Sequence, residues 1–161
     1  MFKYVAVWLL VFLIYVLFAG SASLYTLATG ALIAAILSAL TARYIVVDER
    51  KVRDVKRLLI LAYYFVKYMT VIEFKAHMDV VKRTFTGDIK PGIVRVPVGV
   101  KSKYARLLVA LSITNTPGTV VVDEKNGYFY VNWIYVSTVD PAEAREAISR
   151  EFEEYAYRIF E

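Results

Sequence analysis

The stretch Tyr4–Ala42 carries no charged side chain, and Leu, Ile, Val, Ala, Tyr and Phe dominate it. A single helix of that length would rise about 60 Å, roughly twice the hydrocarbon thickness of a bilayer, so the run must fold back. Only Gly20-Ser21-Ala22-Ser23 is small and polar, which predicts one span over Tyr4–Ala19 and an antiparallel return over Leu24–Arg43. Lys3 precedes the hairpin, and Arg43, Arg50, Lys51, Arg53, Lys56 and Arg57 follow it. Because cytoplasmic flanks collect Lys and Arg, both ends are expected in the cytoplasm and the Gly20 turn outside. Met1 to Ser23 also has the layout of a signal peptide, but the second apolar run would still anchor the chain after cleavage.

The pattern changes after the hairpin. Val47–Arg57 is a charged connector; Leu58–Val66 is apolar on every side, and charge then enters at Lys67, Glu73, Lys75, His77, Asp79, Lys82 and Arg83. No Pro or Gly interrupts before Gly87, which predicts a third helix. A span over Leu58–Phe74 would place Lys67 near its middle at a cost of roughly 3 kcal/mol or more. An amphipathic interfacial helix with Lys67 snorkelling is the better expectation.

Beyond the Gly87–Gly92 break, Ile93, Val94, Val96 and Val98 read as a strand that Pro97 marks as an edge. Ser102 is placed to cap a helix with Tyr104, Leu107, Leu108 and Leu111 on one face. Thr116-Pro117-Gly118-Thr119 has the sequence of a type II turn, and Asn126-Gly127 predicts a hairpin joining Val120–Val122 to Tyr128–Val136. In the last helix Asp140 is the cap, Pro141 the first residue and Glu143 the partner in a capping box. Ala144, Ile148, Phe152, Tyr155 and Ile159 make its apolar stripe, with Glu146/Arg150 and Glu154/Arg158 as i,i+4 pairs.

The fold class expected is therefore a membrane α-helical hairpin (1–46), a charged connector with an amphipathic helix (47–87) and a small α+β cytoplasmic domain of strand, helix, β-hairpin and helix (88–161). A domain so small has a thin core. The uncharged stretch Leu107–Val122, with Phe129, Tyr130, Trp133 and Tyr135, supplies more apolar surface than one helix covers. Contact with the membrane, the third helix or neighbouring subunits is expected to cover it.

Composition narrows the chemistry. With 58% hydrophobic residues and a mean hydropathy of +0.49, 161 residues are too apolar for an ordinary soluble domain and too few for a transporter with its own pathway. The lack of Cys excludes thiol nucleophiles, Zn thiolate sites and Fe–S ligation. The lack of Gln, together with the many charged residues, follows the drift of hyperthermophile proteins. The charge of +5 concentrates between Arg43 and Arg106, directly after the hairpin, which fits anionic lipid better than nucleic acid. His77 is the only histidine, so neither a His metal cluster nor a Ser/His/Asp triad can be built. Gly99-Val100-Lys101-Ser102 lacks the spacing of a phosphate loop. No cofactor, metal or small-molecule substrate is expected. Lys67, Glu73 and His77 are the ionisable groups placed to reach membrane depth, and a structural role is favoured over proton relay because the hairpin offers no group to continue one.

The block Ile113-Thr114-Asn115-Thr116-Pro117-Gly118-Thr119-Val120-Val121-Val122-Asp123, followed by Asn132-Trp133-Ile134-Tyr135-Val136, resembles the signature of the MrpE/MnhE-like family, one of the component families of Mrp-type multisubunit sodium/proton antiporters. The order of hairpin, basic connector, third helix and Thr-Pro-Gly-Thr domain is also similar to that family. Asn115 and Asn132 replace the Leu and His usual there. The resemblance implies a non-catalytic membrane subunit of a complex whose larger subunits carry the ion pathways, either an antiporter or a related archaeal membrane-bound hydrogenase or sulfane reductase. A free-standing membrane-anchored domain that binds lipid or a cytoplasmic partner is the alternative. Thr116, Pro117, Gly118, Thr119 and Trp133 are the motif residues, and physically they define only a turn and a strand.

Overall fold

Helix α1 (Phe2–Ala19) stops at Gly20, whose φ of 59° is a left-handed cap that returns its N–H to Leu17. Helix α2 (Leu24–Ile45) starts at Ser23, whose Oγ accepts the Thr26 N–H at 3.2 Å. The chain therefore breaks at the small polar residues, as expected. The computed structural model describes residues 1–161, which divide into two units, Met1–Val55 and Lys56–Glu161.

In the first unit, Thr26, Gly30, Ala34, Ser38 and Ala42 recur every fourth residue and are buried. A Cβ at Gly30 would lie 2.7 Å from the Tyr15 ring, so only glycine permits this approach. Polar groups close the seam: Trp8 Nε1 donates to Ala31 O at 3.1 Å, Ser38 Oγ donates to Tyr4 O at 2.6 Å, and the Tyr15 and Thr29 hydroxyls meet at 3.1 Å. Leu9, Leu13, Leu17, Leu32 and Leu40 face outward and exposed. A short helix α3 (Glu49–Arg53), capped by Asp48, forms in the connector, and the Arg53 guanidinium lies over the Phe2 ring at 4.7 Å.

In the second unit, α4 (Val55–Lys67) runs through a π-helical turn (Tyr68–Ile72) into α5 (Glu73–Thr86), which ends at Gly87 with φ 69°. The sheet is antiparallel in the order β1-β3-β2, built from β1 (Gly92–Pro97), β2 (Thr119–Lys125) and β3 (Tyr128–Trp133). Strand β1 is an edge, as Pro97 requires. Asn126 and Gly127 both adopt positive φ, the two-residue hairpin turn that the pair predicts. Val94, Val96, Phe129 and Val131 point into the core. There they meet helices α6 (Lys103–Asn115), α7 (Pro141–Ile148) and α8 (Arg150–Phe160), and Tyr64 and Tyr68 from the third helix.

Four details differ from expectation. Helix α6 buries Ala105, Val109, Ser112 and Ile113, leaving Leu107 and Leu111 more than half exposed, because its small and β-branched side is the one that fits close to the sheet. Ser102 makes no side-chain cap; a Glu161 carboxylate oxygen accepts the Lys101 and Ser102 amides instead. The capping box is absent, since the Asp140 N–H donates to Thr138 Oγ1, which itself donates to Glu143. Asp140 still caps, accepting from the Ala142 and Glu143 amides at 2.9 and 3.0 Å. Finally, the last helix is broken at Ser149 (φ −116°) into α7 and α8, and Glu154 pairs back with Arg150 rather than forward with Arg158.

Candidate functional site

The motif begins where α6 ends, and a helix end leaves carbonyls without intrahelical donors. Thr116 Oγ1 donates to Ser112 O at 2.7 Å, and Thr119 Oγ1 donates to Ile113 O at 2.7 Å and to Thr116 O at 3.2 Å. Two threonine hydroxyls therefore finish the helix. Between them Pro117 and Gly118 turn the chain, with Gly118 at φ 95°, the positive value a type II turn places there. Gly118 O accepts the Ile134 N–H at 2.8 Å, locking the turn to the chain just beyond β3. Trp133 lies across the sheet from Thr119 and Gly92.

The third helix reaches this turn through two tyrosines that sequence reasoning did not single out. The Tyr64 hydroxyl meets Ser112 Oγ at 2.5 Å, and the Tyr68 hydroxyl donates to Ser112 O at 3.0 Å and contacts Thr116 Oγ1 at 3.0 Å. The signal available was the i,i+4 spacing of two aromatic residues with polar tips. Burial pushes the Tyr64 phenol up to about 12 and raises Tyr68 as well. A phenol whose folded pKa is raised contributes stability that is complete below pH 10 and is lost as pH climbs toward 12. Alkaline titration of thermal stability is expected to show this loss, and Tyr64→Phe to flatten it; an equally steep curve in the variant would remove Tyr64 as its source.

The three ionisable candidates do not form one chain. Lys67 Nζ sits 2.6 Å from Glu151 and 3.2 Å from the Tyr155 hydroxyl, and the Glu151 carboxylate chiefly raises the lysine's pKa. Glu73 and His77 meet at 3.4 Å, with Asn115 Nδ2 3.5 Å from the Glu73 carboxylate. A cavity of about 440 Å³ brings Lys67 together with Thr116, Pro117, Thr119 and Trp133, over a floor that includes Ile72 and Phe152. Glu73 and His77 do not line it.

The Thr116 and Thr119 hydroxyls are both spent on carbonyls of the chain. Thr119→Val is expected to cost the domain about 1 to 2 kcal/mol, because the Ile113 and Thr116 carbonyls lose a donor in a half-buried setting. Urea unfolding of the detergent-solubilised chain measures it; a change below a few tenths would mean that water replaces the hydroxyl.

An apolar helical hairpin followed by a small α+β domain whose central motif closes a helix defines the class of protein. Residues 8–159 match the model of the Na+/H+ ion antiporter subunit family described as MNHE, and the chain belongs to that family. This is the MrpE-like family, and its members are components of membrane complexes. The chain is also similar, at 26% identity and a TM-score of 0.83, to a chain in the structure of the membrane-bound sulfane sulfur reductase, an archaeal respiratory membrane complex; the match covers 99% of this chain and 100% of that one. A chain in the Mrp complex from Dietzia sp. DQ12-45-1b matches at 22% identity and a TM-score of 0.44, over 62% of this chain and 96% of that one. No curated protein matches.

Proposed function

We propose that the chain is a non-catalytic assembly subunit of an Mrp-type cation/proton antiporter module, either stand-alone or within a respiratory membrane complex. The observation that carries this is the motif geometry: the residues that mark the family close α6 and bind Tyr68, and leave no hydroxyl for chemistry. Helices α1 and α2 cross the bilayer with the Gly20 turn outside and both ends in the cytoplasm, a reading supported by their outward-facing leucines and by the Lys and Arg that follow Ala42. Other membrane subunits and lipid cover its apolar surface. Ion pathways belong to larger subunits.

Two measurements test this. Replacing Lys67, Glu73 and His77 by Met, Gln and Asn should leave sodium/proton exchange by the assembled complex near wild type, since none continues into the uncharged hairpin. An assembled triple variant that no longer exchanges would place the pathway in this chain. For topology, single cysteines at Ser21 and Lys125 should be labelled by an impermeant thiol reagent from opposite sides of the membrane.

A further inference from the structure

Along Val55–Thr86 the positions that face the core are Ile60, Tyr64, Tyr68 and Ile72, followed by Val80, which comes within reach of Gly118, and Arg83, stacked over the Tyr135 ring at 3.9 Å. The opposite side is apolar from one end to the other. Leu59, Val66, Met69, Phe74, Met78 and Phe85 are each at least half exposed. At about 1.5 Å per residue this face is roughly 40 Å long. A soluble monomer rarely leaves so large an apolar strip uncovered.

The charge beside the strip says what covers it. Lys75 and Lys82, seven residues apart and therefore on one flank of the helix, are exposed, and neither has an acidic partner. The acid nearest on that flank, Asp79, is held by Arg83 at 2.7 Å. A lysine stem lying along apolar surface with its ammonium reaching past the edge is the geometry of a helix at a membrane surface, where anionic headgroups supply the counter-charge. Helix α4 also follows the hairpin after only the Val46–Asp54 connector, so its start is tethered close to any bilayer the hairpin occupies.

We propose that the outer face of α4 and α5 is a lipid-binding surface: the helix lies in the plane of the membrane interface, its apolar strip among the upper acyl chains, with Lys75 and Lys82 bound to anionic phosphate headgroups. This rests on the hairpin being inserted. Lys75 also lines the cavity around Lys67, so that cavity opens on the flank beside the strip.

The test uses the assembled complex reconstituted in vesicles of mixed phosphatidylglycerol and phosphatidylcholine, with single cysteines carrying an environment-sensitive fluorophore and with lipids bearing spin labels at defined depths. Labels at Val66, Phe74 and Met78 should be quenched best by spin labels just below the headgroups, and a label at Glu146 by none. Lys75→Gln with Lys82→Gln should weaken the quenching at Met78 by at least half in the anionic vesicles and leave it unchanged in pure phosphatidylcholine. Quenching by mid-bilayer labels would mean that the helix spans, and shielding from both water and lipid would mean that another protein of the complex covers the strip; either overturns the proposal. A control label at Leu13 separates the two readings. If Leu13 is quenched deep while Phe74 is exposed to water, the interfacial surface fails and membrane insertion of the hairpin stands; if Leu13 is not quenched, insertion itself fails.

Discussion

Arg145→Met is expected to destabilise the Lys56–Glu161 unit by about 3 kcal/mol or more, one of the largest effects of any single substitution in the chain. Glu153 is only 3% exposed, and Arg145 grips its Oε2 through Nε at 2.9 Å and Nη2 at 2.6 Å, while Ser149 donates to Oε1 at 2.9 Å. Without the guanidinium a buried carboxylate keeps a single neutral donor, and the desolvation it suffered on folding is no longer offset. Glu153→Gln keeps a carbonyl oxygen for Arg145, removes the buried charge and turns its amide N–H toward Ser149 Oγ, which can accept, so its cost should be much smaller, about 1 kcal/mol. The same pair explains Gly99, because a Cβ there would collide with both Arg145 Nη2 and Glu153 Oε2. Gly99→Ala must therefore displace the ion pair and should melt close to Arg145→Met. Thermal unfolding of the solubilised chain decides the matter: an Arg145→Met protein within about 1 kcal/mol of wild type would show that Glu153 is satisfied without it.

Why the sequence showed some of this fold and hid the rest follows from the range of the signals. Gly20, Gly87, Asn126-Gly127 and Asp140-Pro141 act within a turn of their own position, through positive φ or a missing amide, so each could be read without knowing what packs nearby. The apolar hairpin was equally legible, since its boundaries are set by charge. Helix α6 was not, because it is apolar around most of its circumference: Leu107 and Leu111 are larger, yet Ala105 and Val109 are buried, and only the distance between helix and sheet decides between them. Ser102 lost its capping role to Glu161, far away along the chain. The Arg145–Glu153 pair spans the break at Ser149, outside the i,i+4 spacing that sequence inspection tests. Of the motif, Pro117 and Gly118 could be read as a turn, while the work of Thr116 and Thr119 depends on where α6 ends and on Tyr68 arriving from another helix.

Inserting an alanine after Thr70 is expected to cost at least about 3 kcal/mol, the order of two aliphatic side chains returned to solvent, although Thr70 itself is exposed. The reason is the π-turn, marked by the Glu73 N–H donating to Tyr68 O, five residues back. Tyr64, Tyr68, Ile72, Ala76 and Val80 are spaced by four, and in an unbroken α-helix each such step drifts by about 40°, so that Val80 would lie roughly 160° from Tyr64. One extra residue in the turn takes back about 100° of that drift, and both halves of the helix face the same core. A further residue there turns one half by about 100° against the other and leaves it misdirected. Either Tyr64 and Tyr68 lose Ser112 and Thr116, or Val80 leaves Gly118 and Arg83 leaves the Tyr135 ring. Thr70→Ala isolates the geometry from the side chain, whose hydroxyl only donates back to Val66 O at 2.7 Å, and should change stability by no more than a few tenths of a kcal/mol. Comparing the two by urea unfolding gives a clean decision. An insertion variant as stable as Thr70→Ala would mean that the domain accepts either helical register, and the π-turn would then have no part in holding the third helix to the Thr-Pro-Gly-Thr turn.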